Sequence, residues 1–205
     1  MPLIQRTDSD GVLHQFWEQE LGGDCALASA WTAICLAKLI TTKEDEVALG
    51  LSIYWREDIL REHFKRDDGG GMYPNQVVDK LREAGLRADY TNSTTVDISR
   101  VSSDGHPAIV GLWHSFQKKS EGHAIVATRI NSKGQVVYLD PWGFIMERPA
   151  GPIISRPDGA WGIRYVTYVS QPGKVRKPPP MVLPDQVCRD PVQQSVGGPG
   201  FVPTR

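Results

Sequence analysis

The stretch that decides the fold is residues 19–31, Gln-Glu-Leu-Gly-Gly-Asp-Cys-Ala-Leu-Ala-Ser-Ala-Trp, in which a glycine-containing loop runs into a helix. Asp24 is a favourable N-cap, because its carboxylate can accept hydrogen bonds from the unpaired amides of the first helical turn. Apolar, helix-favouring residues continue with few interruptions to Ile40. We therefore expect a helix over residues 24–40 that is buried along most of its length, with Cys25 as its first residue.

The position of Cys25 favours thiol chemistry. A thiol at the positive end of a helix dipole tends towards the thiolate, which is the nucleophilic form. Gly22 and Gly23 also allow the backbone to approach a ligand closely. The negative charge of Asp24 opposes ionisation of the thiol, so a basic partner is required. The alternative, a small buried hydrophobe, stays open for Cys25 and is what we expect of Cys35.

Composition excludes several classes of function. The 205 residues suit one domain of ordinary size, and the net charge of -1 gives no global signature for nucleic acid or anionic lipid. Three cysteines at these spacings form neither a disulfide framework nor a metal-binding pattern, so we expect no cofactor and no metal. The sequence shows no secretory signal and no apolar run long enough to span a bilayer. We expect a cytoplasmic protein, or one delivered into a target cell by a secretion system that needs no signal peptide.

The order of the predicted elements indicates the fold class. Residues 1–18 are expected to be irregular. Hydrophobic periodicity then predicts three helices, at 24–40, at 44–65 and from Pro74 to just before Gly85, followed by strands at 86–90, 106–114, 123–130, 135–139 and 162–170. Helices followed by strands favour an α+β fold with an antiparallel sheet.

The end of the chain differs from the rest in composition. Eight of the 15 prolines fall in the last 35 residues, which also lack apolar periodicity. Such a segment cannot bury enough surface to fold alone. We therefore expect one domain over residues 1–170 and a proline-rich irregular tail over 171–205.

One predicted hairpin brings together two residues that a thiol nucleophile needs. Strands at 123–130 and 135–139 flank Asn-Ser-Lys-Gly at 131–134, a hairpin loop containing glycine. His123 begins the first strand and Asp140 ends the second, so both should lie at the open end of the hairpin. There His123 can act as the base for Cys25, and Asp140 can orient its imidazole. A structural histidine and a strand-ending Asp-Pro turn are the alternative interpretations.

Two further residues could complete such a site. The side-chain amide of Gln19 could act with the backbone amide of Cys25 as an oxyanion donor. Trp142 could cover the hydrogen bond between His123 and Asp140 and keep water from it, although by default it would be a core residue. Four other histidines compete as the base, with lower expectation: His14, His63, His106 and His114.

These residues together resemble the papain-like cysteine peptidases. The resemblance rests on Gln19 with Cys25 opening a helix, on Gly-His-Ala-Ile-Val at 122–126, and on Leu-Asp-Pro-Trp-Gly at 139–143. Residues 70–85 resemble the segment that follows the catalytic helix in compact bacterial branches, which comprise the peptidases that trim double-glycine leaders and the secreted effector proteases of plant pathogens. The likeness covers roughly residues 15–170.

The resemblance implies a papain-like fold and a set of roles. Cys25 would be the nucleophile, His123 the general base and acid, Asp140 the residue that orients the imidazole, and Gln19 the oxyanion donor. The implied activity is cleavage of a protein or peptide substrate, in a bacterial toxin or secreted effector that a cognate inhibitor or immunity protein would cover, with no nucleic-acid or membrane partner. Two alternatives stay open: a deamidase or acyltransferase using the same triad, and an inactive binding module of the same fold.

Overall fold

The structure is a computed structural model that describes residues 3–20, 23–38, 73–83, 85–102, 106–114 and 122–171. The predicted helix at 44–65 and the tail from residue 172 onwards lie outside these ranges. The described residues form three helices and nine strands. The helices are α1 Cys25–Lys38, α2 Pro74–Glu83 and α3 Ile98–Ser102. The strands are β1 Leu3–Thr7, β2 Leu13–Trp17, β3 Arg87–Thr91, β4 Ala108–His114, β5 Gly122–Ile130, β6 Val136–Asp140, β7 Phe144–Arg148, β8 Ile153–Arg156 and β9 Gly159–Ser170.

The fold is α+β with an antiparallel sheet, as the order of elements predicted. Seven of the described strands form one sheet in the order β3-β9-β4-β5-β6-β7, and β8 pairs with β9. Every pairing in this sheet is antiparallel. β9 is long enough to pair with β3 at one end and with β8 at the other, so these two strands extend the same edge.

The sheet curls, so that β7 at one edge approaches β8 at the other. The Arg148 Nε of β7 donates to the Ser155 carbonyl of β8 at 3.0 Å. The Phe144 ring of β7 lies 5.9 Å from the guanidinium carbon of Arg156 in β8. The curl brings the end of β8 close to the end of β6, where Asp140 lies.

Two hydrophobic cores result from this arrangement. One lies between α1, α2 and one face of the sheet, and it includes Ile34, Leu81 and Val126. The other lies on the opposite face, where α3 and the curled strands cover Val110, Ile125 and their neighbours. Because the sheet is buried on both faces, β4 and β5 read as nearly continuous apolar runs rather than alternating ones.

The helices match the sequence patterns that predicted them. The Asp24 carbonyl accepts the Ala28 amide at 2.9 Å, which places Asp24 at the N-cap. α2 begins at Pro74 and ends before Gly85, whose φ of 72° and hydrogen bond to Arg82 match a glycine C-cap. Val77, Val78 and Leu81 form the buried side of α2, and the expected burial of Cys35 in α1 is confirmed.

The prediction that residues 1–18 are irregular is wrong. β1 and β2 form a two-stranded antiparallel sheet in which Leu3 pairs with Trp17 and Thr7 with Leu13. The strands are too short for a periodic signal, and their stability comes from docking on the domain. β7, β8 and the short helix α3 were also not predicted, and β9 begins three residues earlier than expected. Among the described helices, none is both long and apolar enough to cross a membrane.

Candidate active site

The β5–β6 hairpin places His123 beside Asp140, as the sequence predicted. His123 is the second residue of β5 and Asp140 is the last of β6, so both lie at the open end of the hairpin. The Nε2–H of His123 donates to Oδ1 of Asp140 at 2.9 Å. The two side chains are 4% and 0% exposed, so the bond forms away from solvent.

The start of α1 places the thiol of Cys25 against the same imidazole. Gly23 has a φ of 101°, which lets the chain turn sharply into the helix, and Cys25 is the first helical residue. Cys25 is a free thiol, and it lies close enough to His123 for its interaction with the imidazole to raise the pKa of His123. Because Nε2 of the imidazole is bonded to Asp140, Nδ1 is the nitrogen left for the sulfur. The three residues thus form one line of contacts.

The surroundings of His123 favour its protonated form. Burial acts to lower the pKa of His123, but the hydrogen bonds with Asp140 and Cys25 and the charges of both partners outweigh it and raise the pKa above its ordinary value. An imidazolium beside a thiol at a helix N-terminus stabilises the thiolate. The arrangement therefore supplies the basic partner that Cys25 requires.

Gln19 is held at the turn that carries Asp140. It follows β2 and is half-buried, and its backbone amide donates to the Pro141 carbonyl at 2.8 Å. Arg6 of β1 braces the same turn, because its Nε donates to the Gly143 carbonyl at 2.9 Å. The β1–β2 hairpin thus brings Gln19 to the site, and its function as an oxyanion donor stays a prediction.

Two tryptophans surround the His123–Asp140 pair. The Trp142 ring lies 5.4 Å from the imidazole, and its backbone amide donates to Oδ1 of Asp140 at 2.9 Å. Trp161 lies 6.0 Å from the imidazole. Trp142 is 48% exposed, so it is a cover over the pair rather than a core residue, whereas Trp161 is buried.

The structure adds Arg156, which sequence reasoning missed. Its side chain is 0% exposed, and its Nε lies 3.0 Å from Oδ2 of Asp140. The N–H does not point closely enough at the oxygen for a hydrogen bond, so the contact is an ion pair. The guanidinium carbon also lies 4.5 Å from the Trp142 ring and 4.8 Å from that of Trp161. The Arg-Pro-Asp-Gly sequence at 156–159 is a turn signal that could have revealed the hairpin, though not the ion pair.

Sequence reasoning also missed a pair of tyrosines, Tyr90 and Tyr165. Burial, together with Cys25 and Tyr90, raises the pKa of Tyr165, which places this phenol in the electrostatic reach of the thiol. The Tyr90 and Tyr165 rings are 5.7 Å apart. Tyr165 fits because Gly111 in β4 has no side chain: an added Cβ would lie 2.0 Å from Cε1 of the ring.

The other histidines lie in different surroundings. His14 forms a second buried pair, with its Nε2 2.8 Å from Oδ2 of Asp8, and burial lowers the pKa of His14. His114 packs edge-on against Trp161 with ring centroids 4.8 Å apart. His106 precedes Pro107 before β4, and His63 lies outside the described residues.

The described ranges contain no group of three His, Cys, Asp or Glu side chains that could hold a metal ion. In comparisons with known proteins, neither a protein-family model nor a curated protein sequence matches this chain. The interpretation of the site therefore rests on its geometry and chemistry.

Proposed function

We propose that this protein is a cysteine peptidase of papain-like fold that cleaves peptide bonds through Cys25, His123 and Asp140. The observation that carries the proposal is the line of contacts from the Cys25 thiol through the imidazole to the Asp140 carboxylate. The arrangement of the elements supports the papain-like assignment. The helix that carries Cys25 packs against a curled antiparallel sheet, and this sheet carries His123 and Asp140.

The contacts suit nucleophilic acyl transfer. Cys25 gives its proton to His123 and attacks the substrate carbonyl carbon as the thiolate. His123 then passes the proton to the nitrogen of the scissile bond. The amine product leaves, and the acyl group remains on Cys25 as a thioester. In the second half, His123 takes a proton from water, the resulting hydroxide attacks the thioester, and the acid product leaves as the thiol is restored. Asp140 keeps the imidazole oriented throughout.

The developing oxyanion has two candidate donors. The Cys25 backbone amide is in the first helical turn, where amides have no acceptor within the helix. The side-chain amide of Gln19 is the second candidate, because its backbone is fixed to the turn next to Asp140. Both would act on charge that appears only as the thiolate attacks.

The wider biological setting belongs to the same proposal and rests on the sequence resemblance alone. We propose a protein or peptide substrate, and delivery as a bacterial toxin or effector with a cognate inhibitor that covers the cleft. Deamidation and acyl transfer use the same thioester intermediate, so the test below must separate them from cleavage.

The test combines active-site labelling with product analysis. We expect an epoxide-type thiol inhibitor to modify Cys25 and not Cys35, and a peptide library treated with the protein to contain cleaved products. Cys25→Ala should lower cleavage by about a thousandfold or more, because the nucleophile cannot be replaced. Cys35→Ala is the matched control, since it removes a buried thiol from the same helix ten residues further along.

The outcomes separate the alternatives. Library peptides that stay intact but gain the small mass of deamidation would indicate a deamidase instead of a peptidase. Intact peptides that become joined to an amine would indicate an acyltransferase. Unlabelled Cys25 with no altered peptide would indicate a binding module. Equal activity of Cys25→Ala and the parent would remove the proposed mechanism altogether.

A further inference from the structure

The Asp140 carboxylate lies between the His123 imidazole and the Arg156 guanidinium. Its Oδ1 accepts from His123 and from the Trp142 amide, and its Oδ2 faces the Arg156 guanidinium at 3.0 Å. Both Asp140 and Arg156 are completely buried. An arginine is almost never buried to this extent without a specific partner.

We propose that Arg156 is a positioning residue, which holds the Asp140 carboxylate turned so that it accepts the His123 N–H. The inference rests on the proposed function, because it assigns Arg156 a part in preparing the Cys25 nucleophile. Arg156 touches neither Cys25 nor a substrate in this scheme, and it acts through Asp140.

The charges around the guanidinium support an action on Asp140. Its three nitrogens are buried and form no hydrogen bond within the described residues. Two carboxylates are close to it: Asp140 at 3.0 Å, and Asp158 at 3.5 Å with a side chain that is 31% exposed. Attraction between charges is stronger where water is excluded, so the pair with Asp140 is the stronger of the two.

The aromatic rings fix the relative positions of the two cationic partners. Trp142 and Trp161 each contact both the imidazole and the guanidinium. Guanidinium groups pack favourably on aromatic faces, more so when desolvated. The same two rings therefore hold His123 on one carboxylate oxygen and Arg156 on the other.

The β8–β9 hairpin delivers Arg156 to this place. Arg156 ends β8 and pairs with Gly159 at the start of β9, across a turn formed by Pro157 and Asp158. Asp158 also accepts from the Trp161 indole N–H at 3.2 Å, which ties the turn to the same tryptophan. The guanidinium thus comes from a different hairpin than the carboxylate it pairs with.

Removing Arg156 should change how Cys25 ionises. Without the guanidinium, the buried Asp140 carboxylate would have no cation beside its Oδ2 and would turn away from His123, which would lose its acceptor. The thiolate would then form at a higher pH. Direct repulsion between Arg156 and the imidazole acts in the opposite direction, but the carboxylate stands between the two cations and weakens it.

The test measures the rate at which iodoacetamide alkylates Cys25 as a function of pH, by mass spectrometry of the peptide that contains it. In Arg156→Met we expect the midpoint to rise by about one pH unit, which means a roughly tenfold lower alkylation rate below the midpoint. Arg156→Lys restores the charge and should recover most of the shift. Arg148→Met is the matched control, because this arginine also contacts β8 but not Asp140.

A double-mutant cycle with Asp140→Asn tests whether Arg156 acts through Asp140. We expect Arg156→Met to cause no rise of the midpoint in the Asp140→Asn background, because no carboxylate is left to position. If Arg156→Met alone does not fold, the comparison of Asp140→Asn with the double variant still tests whether Arg156 acts through Asp140, since the double variant has no unpaired carboxylate at this position.

Three results would overturn the inference: an unchanged or lower midpoint in Arg156→Met, an Arg156→Lys profile equal to that of Arg156→Met, or a further rise of the midpoint from Arg156→Met in the Asp140→Asn background. Its failure is distinguishable from failure of the proposed function. A parent Cys25 that reacts at neutral pH like an ordinary thiol counts against the peptidase itself. A reactive parent with an unaffected Arg156→Met variant counts against Arg156 alone.

Discussion

Gly111 shows how one missing side chain shapes the packing of the sheet. The register of β4 against β9 shifts between Gly111 and Leu112, and the Tyr165 ring occupies the space where a Cβ on residue 111 would lie. This ring is in the electrostatic reach of Cys25. The packing of one glycine against one tyrosine therefore sets the position of the Tyr165 ring.

We expect Gly111→Ala to destabilise the protein by about 1–3 kcal/mol, because the new methyl group must displace the Tyr165 ring from a packed position. Urea unfolding measures the effect. Gly151→Ala is the matched control, since its added Cβ meets no atom within 4 Å. In the Tyr165→Ala background the same Gly111→Ala change should cost less, because the ring that it displaces is absent. A Gly111→Ala variant as stable as Gly151→Ala would contradict the packing argument.

At the scale of elements, the β1–β2 hairpin is fixed to the domain at both ends. At one end, Arg129 of β5 pairs with Asp8 and Asp10 in the turn of the hairpin. Beyond the open end, Gln19 bonds to the turn that follows Asp140, and the Arg6 side chain extends from β1 to bond to that turn as well. The hairpin therefore connects a buried charge cluster to the candidate active site.

Arg129→Met should loosen this hairpin at its turn. Asp8 is completely buried, and removing the cationic partner of a buried charge costs about 3–5 kcal/mol. We expect faster amide hydrogen exchange over residues 3–17 relative to the parent. Arg87→Met is the control, because Arg87 is 70% exposed and its ion pair is on the surface. Equal exchange in the parent and both variants would mean that hydrophobic docking alone holds the hairpin.

The elements also show what the sequence could and could not predict. The β5–β6 hairpin was predictable because its turn residues and its apolar strands lie in one continuous segment, and this was enough to pair His123 with Asp140. β1 and β2 were not, because five-residue strands held by contacts from β5 leave no local periodicity. Arg156 was not predictable either, since only the curl of the whole sheet brings β8 to the end of β6.

At the scale of the whole molecule, two buried His–Asp pairs lie at opposite ends of β5 and respond to pH in opposite directions. His123 lies near the start of the strand and has a raised pKa. His14 pairs with Asp8 near Arg129, at the far end, and has a lowered pKa. The fold thus favours a charged imidazole at the candidate site and a neutral one at the opposite end of the strand.

The signs follow from linkage between protonation and folding. The stabilisation from His123 is complete below its unfolded pKa of 6.5 and is lost as the pH rises through the folded value. The stabilisation from His14 is complete above 6.5 and is lost as the pH falls towards the folded value. When the pKa of a histidine differs by one unit between the folded and unfolded states, the free energy of unfolding changes by about 1.4 kcal/mol.

We therefore expect His123→Gln and His14→Gln to change the pH dependence of stability with opposite sign. Urea unfolding at a series of pH values gives the difference in free energy of unfolding between the parent and each variant. This difference should shrink as the pH rises above 6.5 for His123→Gln, and it should shrink as the pH falls below 6.5 for His14→Gln. Slopes of the same sign would mean that the two pairs do not hold opposite charge states. The proposal that folding favours the charged imidazole of His123 would then fail, because the contacts that raise its pKa would not appear in the pH dependence of stability.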